Sequence, residues 1–195
     1  MADYAFPSDI LDDERLQTVL ETSRLETIRN SIMTSAQDDS FIQYKVPWND
    51  SNVLEKESVD MIYSQAVLEH VDDLPFTYQS MKLWLKPTGY ISHEIDFKCH
   101  GTSYEWNGHW TYSDFMWKLL RGNRTYLLNR EPHSTHIKMM KSEGFDIVCD
   151  KPSKATSDIT KDDLAPRFQS ISDQDLLISD SFIQGIKKEK VLQAK

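Results

Sequence analysis

Three ionisable residues, His93, Glu94 and Asp96, crowd the end of the run Tyr90-Ile91-Ser92-His93-Glu94-Ile95-Asp96-Phe97, which otherwise reads as a buried β-strand. Polar and charged groups are expensive to bury without partners, so these three either stand at a site or are tied into hydrogen bonds. The two-residue alternation of a strand sends Glu94 and Asp96 to one face with Ser92, and His93 to the other. A carboxylate in that place can accept a proton or orient a nucleophile. The imidazole of His93, with an unperturbed pKa of about 6.5, can serve as the base instead with little tuning. The alternative is a hydrogen-bonded pair that fastens the strand to the segment after it.

Other candidates are weaker. Glu69 and His70 are adjacent, but they read as the start of the next helix, where a glutamate favours the positive end of the dipole. Cys99, His100, His109, His133 and His136 invite a metal reading. Only His133-x-x-His136 has a helical ligand spacing, and no CxxC or HExxH accompanies it, so no metal is assigned.

The elements that must hold these residues follow from periodicity. Leu16, Val19 and Leu20, then Ile28 and Ile32, mark a helical N-terminal segment over 1–40, with Asp9 or Ser8 as a candidate cap. Phe41, Ile42, Tyr44 and Val46 read as a short strand that ends at Pro47 and leads into the loop Asn49-Asp50-Ser51-Asn52. The run 59–67 is nearly continuous in apolar character, the pattern of a strand covered on both faces. Leu74, Tyr78, Met81 and Leu85 form the stripe of an amphipathic helix expected to end at Lys86-Pro87-Thr88-Gly89. A helix over about 134–143 and strands over 145–149 and 175–186 follow. Strand, helix, strand, helix, strand implies an α/β fold with parallel pairing, in which ligands bind beyond the carboxyl ends of the strands.

Between Lys98 and Glu131 lies an aromatic insertion with Tyr104, Trp106, Trp110, Tyr112, Phe115, Trp117 and Tyr126. It reads either as a lid over a small flat substrate or as satellite core under a long loop. Composition bounds the partners. The chain has 195 residues, 39% of them hydrophobic, which is enough to build one core; 31 acidic against 22 basic residues give a formal charge of −9, which argues against a nucleic-acid binder. Two cysteines are too few for a disulfide scaffold, and the acidic N-terminus lacks a signal-peptide pattern. A cytoplasmic protein without a membrane span is expected.

The segment SVDMIYSQAVLEHVDDL, followed by a helix and LKPTGYISHEIDF, resembles the second half of a class I S-adenosylmethionine-dependent methyltransferase of the type 11 kind. In that family an Asp-x-Ile-x-Ser-x-x-Val-Leu-Glu-His block forms a strand and the turn after it, and a Leu-Lys-Pro-Gly-Gly turn precedes the next strand; Thr88 stands here where the first of those glycines usually stands. The later stretch NREPHSTHIKMMKSEGFDIV and the terminal strand fit the family's closing helix and two-stranded end. The resemblance covers roughly 41–190 and implies a Rossmann-like, mostly parallel sheet with an antiparallel C-terminal strand, incomplete at its N-terminal side.

The resemblance also implies roles. S-adenosylmethionine is the expected cofactor, with Asp50 as a reader of the adenine and Ser64, Gln65 and Ala66 beside the methionine part. His93, Glu94 and Asp96 are then the residues expected to act on a small-molecule acceptor that attacks the sulfonium methyl group. Asp50 has an equally simple reading as the start of an Asx turn. The family's Gly-rich turn has no counterpart, because Gly89 is the first glycine of the chain. Truncation of a longer enzyme, a complementing second chain, or a degenerate relative that binds a partner chain without catalysis would each account for this. Without the missing strand, the strand over 59–67 is expected to keep an unpaired edge and to favour self-association.

Overall fold

The computed structural model describes residues 8–34, 40–47 and 49–188, and the chain divides into two compact units, Met1–Trp48 and Asn49–Lys195. The first unit holds helices α1 (Asp13–Val19) and α2 (Thr22–Met33). Helix α1 starts where the Asp12 carboxylate accepts the Arg15 N–H at 2.8 Å, with Asp13 and Glu14 in the first turn, so neither Ser8 nor Asp9 is its cap. The stretch 40–47 forms no strand, and Phe41 and Tyr44 are exposed. Extended backbone becomes a strand only where a neighbour takes up its N–H and C=O groups, and no such ladder is assigned over 40–47.

The second unit contains β1 (Val59–Gln65), α3 (Leu74–Trp84), β2 (Leu85–Asp96), α4 (Asp114–Arg121), α5 (His133–Ser142), β3 (Phe145–Lys154) and β4 (Ile178–Lys187). The four strands form one sheet in the order β1-β2-β4-β3. β1 and β2 are parallel, and β4 runs antiparallel to both of its neighbours, so β1, β2 and β3 share one direction and only the C-terminal strand opposes them. This is the α/β architecture expected from the sequence. The register sets Ser64 beside His93 and Gln65 beside Glu94, and it sets Asp96 opposite Asp180.

Leu74, Tyr78 and Met81 of α3, Leu85, Ile91 and Ile95 of β2, Met140 of α5, Phe145 of β3 and Ile183 of β4 make the main core. Each such side chain contributes roughly 1.5–3 kcal/mol on leaving water. The apolar stripe of α3 is therefore as the sequence implies, but the helix stops at Trp84 and Lys86-Pro87-Thr88-Gly89 already belongs to β2. The ladder is irregular there, between Val59 opposite Leu85 and Met61 opposite Tyr90. Thr88 takes φ +61°, a left-handed conformation that explains a glycine preference at this position. A Cβ on Gly89 would lie 3.0 Å from the Lys86 carbonyl oxygen and 3.2 Å from that of Asp60.

β1 keeps the unpaired edge expected of it among the described residues, but not the expected cover on both faces. It is an edge strand paired with β2 alone, and Met61 and Tyr63 are 51% and 78% exposed, so it is covered on one face and not on both. The aromatic insertion resolves toward satellite core. Trp110 packs with Leu164, Ala165 and Phe168, and Trp117 packs with Leu127 and Leu128. The buried Arg130 guanidinium joins the two groups, 4.8 Å over the Trp117 ring and 5.0 Å over that of Phe168, while Asp114 neutralises it at 2.6 Å. Among the described residues no helix is long and apolar enough to cross a membrane.

Candidate functional site

The carboxyl ends of β1 and β2 lie side by side and carry the sequence-assigned residues on two faces. His93 points with Ile91 and Ile95 into the main core and is fully buried. Its Nδ1 is 2.8 Å from Ser64 Oγ, its ring meets Tyr78 edge-on at 6.4 Å, and its Nε2 has no partner. Burial pushes its pKa down to about 4, which keeps the ring neutral at physiological pH. The Tyr78 hydroxyl is in turn 2.8 Å from Nδ1 of His136, another fully buried ring whose pKa is pushed down to about 3 by burial, with His93 and His133 adding to the effect.

Glu94 and Asp96 lie on the opposite face and meet two residues that the sequence reading passed over. Lys98 Nζ donates to Asp96 Oδ1 at 3.2 Å and to Asp180 Oδ2 at 3.0 Å, so one ammonium bridges two carboxylates. Burial raises the Glu94 pKa, the Asp180 charge raises it further, and Lys98 offsets part of this. Lys98 itself is held above the usual lysine range: burial works against its charge, but the hydrogen bonds to Asp180 and Asp96 outweigh it. Glu94 is therefore a carboxylate with a strengthened appetite for a proton beside a fixed positive charge. The Lys98 and Asp180 pairing needed the antiparallel register of β4, which no local pattern gives.

The remaining assigned residues are largely occupied. Asp50 Oδ1 accepts the Asn52 backbone N–H at 2.9 Å and its side-chain amide at 3.0 Å, an Asx turn. Ala66, at φ +51°, donates its N–H to the Glu94 carbonyl at 3.0 Å. Gln65 is exposed. The helical histidine pair goes separate ways, with His133 Nε2 2.9 Å from Asp150 and His136 on Tyr78. Cys99 is buried against the Ser103 carbonyl.

Glu69 and His70 do not start α3. They sit in a separate short 3-10 turn, Leu68–His70, before it. Glu69 is 3% exposed, and neither carboxylate oxygen has a hydrogen-bond partner. Burial raises its pKa, and the Asp96 charge raises it further against smaller opposing effects that include the backbone and His100. His100, from the loop after β2, packs against His70 with the rings tilted and 5.2 Å apart, and reaches Asp96 Oδ2 at 3.3 Å with its Nε2.

Comparison with known proteins gives a partial family match. Residues 19–92 match the family model described as a methyltransferase domain. The match covers less than half of the chain and marks a likeness to methyltransferase domains over that stretch. No curated protein matches it. Among solved structures it is similar to a Galdieria sulphuraria protein assigned as a sarcosine dimethylglycine methyltransferase, at 16% identity and a TM-score of 0.49, covering 85% of this chain and 65% of that one. The Haemonchus contortus phosphoethanolamine N-methyltransferase 2, in complex with S-adenosyl-L-methionine, gives 16% identity and a TM-score of 0.48, over 85% and 40% of the two chains. A Mesorhizobium loti S-adenosylmethionine-dependent methyltransferase gives 14% and 0.49, over 86% and 77%. The chain thus spans less than two thirds of the Galdieria and Haemonchus proteins.

The methyltransferase cofactor finds only part of a cradle here. The hydroxyl of Ser64, the N–H of Ala66 and the carboxylate of Asp50 are spent within the chain, and on the outer side of β1, where the family's Gly-rich strand belongs, the described residues place no strand. The described residues do not make a closed cofactor site by themselves.

Proposed function

We propose that the chain takes part in methyl transfer from S-adenosylmethionine to a small-molecule acceptor, with Glu94 as the group that takes or orients the acceptor's proton and Asp96 and Lys98 as its positioning neighbours. The family match carries the reaction class. The raised Glu94 carboxylate beside Lys98, at the carboxyl end of parallel strands, supports the roles. His93 acts in this reading through its bond to Ser64, as a support of the strand ends. Gln65 and Ala66 line the side that faces the cofactor, and Asp50 holds the preceding loop.

A second reading is a methyltransferase-like chain that binds a partner chain without catalysis, and one observation favours it. Among the described residues no strand pairs with the outer edge of β1, and Met61 and Tyr63 are exposed on one of its faces. Calorimetric titration of the full chain with S-adenosylmethionine separates the two. Micromolar binding, lost methyl transfer in Glu94→Gln and unchanged cofactor affinity in that variant are the expected results. Absence of binding, together with concentration-dependent association in sedimentation, would hand the case to the second reading.

A further inference from the structure

We propose that Glu69, His70 and His100 form a site for one divalent transition-metal ion of the zinc class. One ligand-competent atom from each residue lies within 4.8 Å of the other two. Proximity alone would not make a site; the state of Glu69 does. Its side chain is 4% exposed and both of its oxygens lack a hydrogen-bond partner, although a buried carboxylate is stable only when paired, hydrogen-bonded or neutralised. His70 Nε2 stands 3.9 Å from Glu69 Oε1, too far for a hydrogen bond, and His70 Nδ1 is buried without a partner as well. The two histidines and the carboxylate thus bring three ligand-competent atoms together around a carboxylate that completes no hydrogen bond.

The donor set fits a borderline cation. Two imidazoles and a carboxylate, without thiolate, suit zinc and its neighbours better than the all-oxygen shells of calcium or magnesium. Bond lengths of about 2.0–2.2 Å in a tetrahedral shell put ligand atoms roughly 3.4 Å apart, so the cluster must contract by up to about 1.4 Å. Rotation of the two imidazoles, each 31% exposed, provides this while Glu69 stays fixed. Asp96 Oδ2, 3.3 Å from His100 Nε2, supplies the carboxylate that commonly orients a metal-bound histidine from behind. Three protein ligands leave a fourth position open. A cavity of about 10 Å³ adjoins Glu69 and is lined by Asp96, His109, Asn129 and Arg130 among others, with room for one water-sized ligand.

Asp96 is shared with the residues proposed for methyl transfer, so the test reads metal affinity and not activity. The full chain, stripped with a chelator and dialysed, is titrated with zinc chloride alone by calorimetry and with cobalt(II) by visible absorption. One equivalent should bind at micromolar affinity or tighter, with a tetrahedral or five-coordinate cobalt spectrum and a rise in Tm. Glu69→Gln and His100→Ala should each weaken binding at least tenfold, whereas His133→Ala should leave it unchanged. His100 lies in a half-exposed loop, and a thermal melt of the metal-free His100→Ala variant verifies that it folds. Failure of the wild type to bind zinc at about 100 μM, or equal affinity in the wild type and both ligand variants, would overturn the assignment.

Discussion

His93, Tyr78 and His136 occupy the core side of the sheet, while Glu69, His70 and His100 gather where the chain leaves β1 and β2; both groups hold two histidines and one oxygen-bearing side chain, and both contain buried polar atoms. In the first group each imidazole has an oxygen partner at 2.8 Å on Nδ1, from Ser64 or from Tyr78. All of these groups can be neutral, so burial is compatible with them. In the second group the oxygen comes from a carboxylate that completes no hydrogen bond, and the same burial becomes a demand for a proton or a cation. Burial depth alone therefore does not separate structural from ligand-binding histidines. What separates them is whether the hydrogen-bond account closes without an added charge.

Acid should expose this difference most strongly. His93 and His136 have folded pKa values of about 4 and about 3 against roughly 6.5 when unfolded. Their contribution to stability is complete above pH 6.5. It is lost as pH falls, because the unfolded chain binds protons that the folded chain refuses, until the folded pKa values are reached. Urea denaturation of the metal-free chain between pH 7 and pH 4.5 should show a loss of several kcal/mol, in which His136→Gln is shallower by about one proton. A flat profile over that range would mean that the core histidines are open to solvent.

Substitution at neutral pH gives the next largest contrast. His136→Ala opens a hole beside Phe97 and Tyr78 and leaves the Tyr78 hydroxyl without its partner, so a loss of about 3 kcal/mol in chemical denaturation is expected. His100→Ala in the metal-free chain removes a half-exposed ring and should change stability by less than about 0.5 kcal/mol. Equal losses would erase the distinction between the two groups.

Much of this was legible in the residue order, for reasons that differ by region. The α3 stripe and the alternation that puts His93 on one face and Glu94 and Asp96 on the other are local patterns, and local patterns survive folding. The exposure of Met61 and Tyr63 was not legible, because an apolar run has the same composition whether or not a neighbouring strand covers it. The stretch 40–47 misled for the same reason: its residues favour extension, but pairing is a tertiary property. Glu69 and His70 were seen as a pair and discounted, since nothing local announces that the loop after β2 will bring His100 onto them. Lys98 and Asp180 meet only through the register of β2 with β4. The fold's framework was thus written in periodicity, while the partners within the site were written in topology.

The smallest effect tests the join between the two regions. Ser64 is the penultimate residue of β1, and its hydroxyl meets His93 Nδ1 at 2.8 Å across the parallel ladder, in the register that also sets Gln65 beside Glu94. Ser64→Ala removes one hydrogen bond from a half-buried position and leaves the imidazole nitrogen without a partner, for an expected loss of about 1 kcal/mol. Ser64→Thr keeps the hydroxyl and should restore most of it. The informative comparison is the titration of His93 by NMR. If the hydroxyl only fills a hydrogen-bond requirement of a ring held neutral by burial, the His93 pKa stays well below 6.5 in Ser64→Ala, because desolvation and not Ser64 depresses it. A His93 that titrates near 6.5 in that variant would show that the bond keeps the core side closed, and the line between the buried pair and the open strand ends would have to be drawn through Ser64 itself.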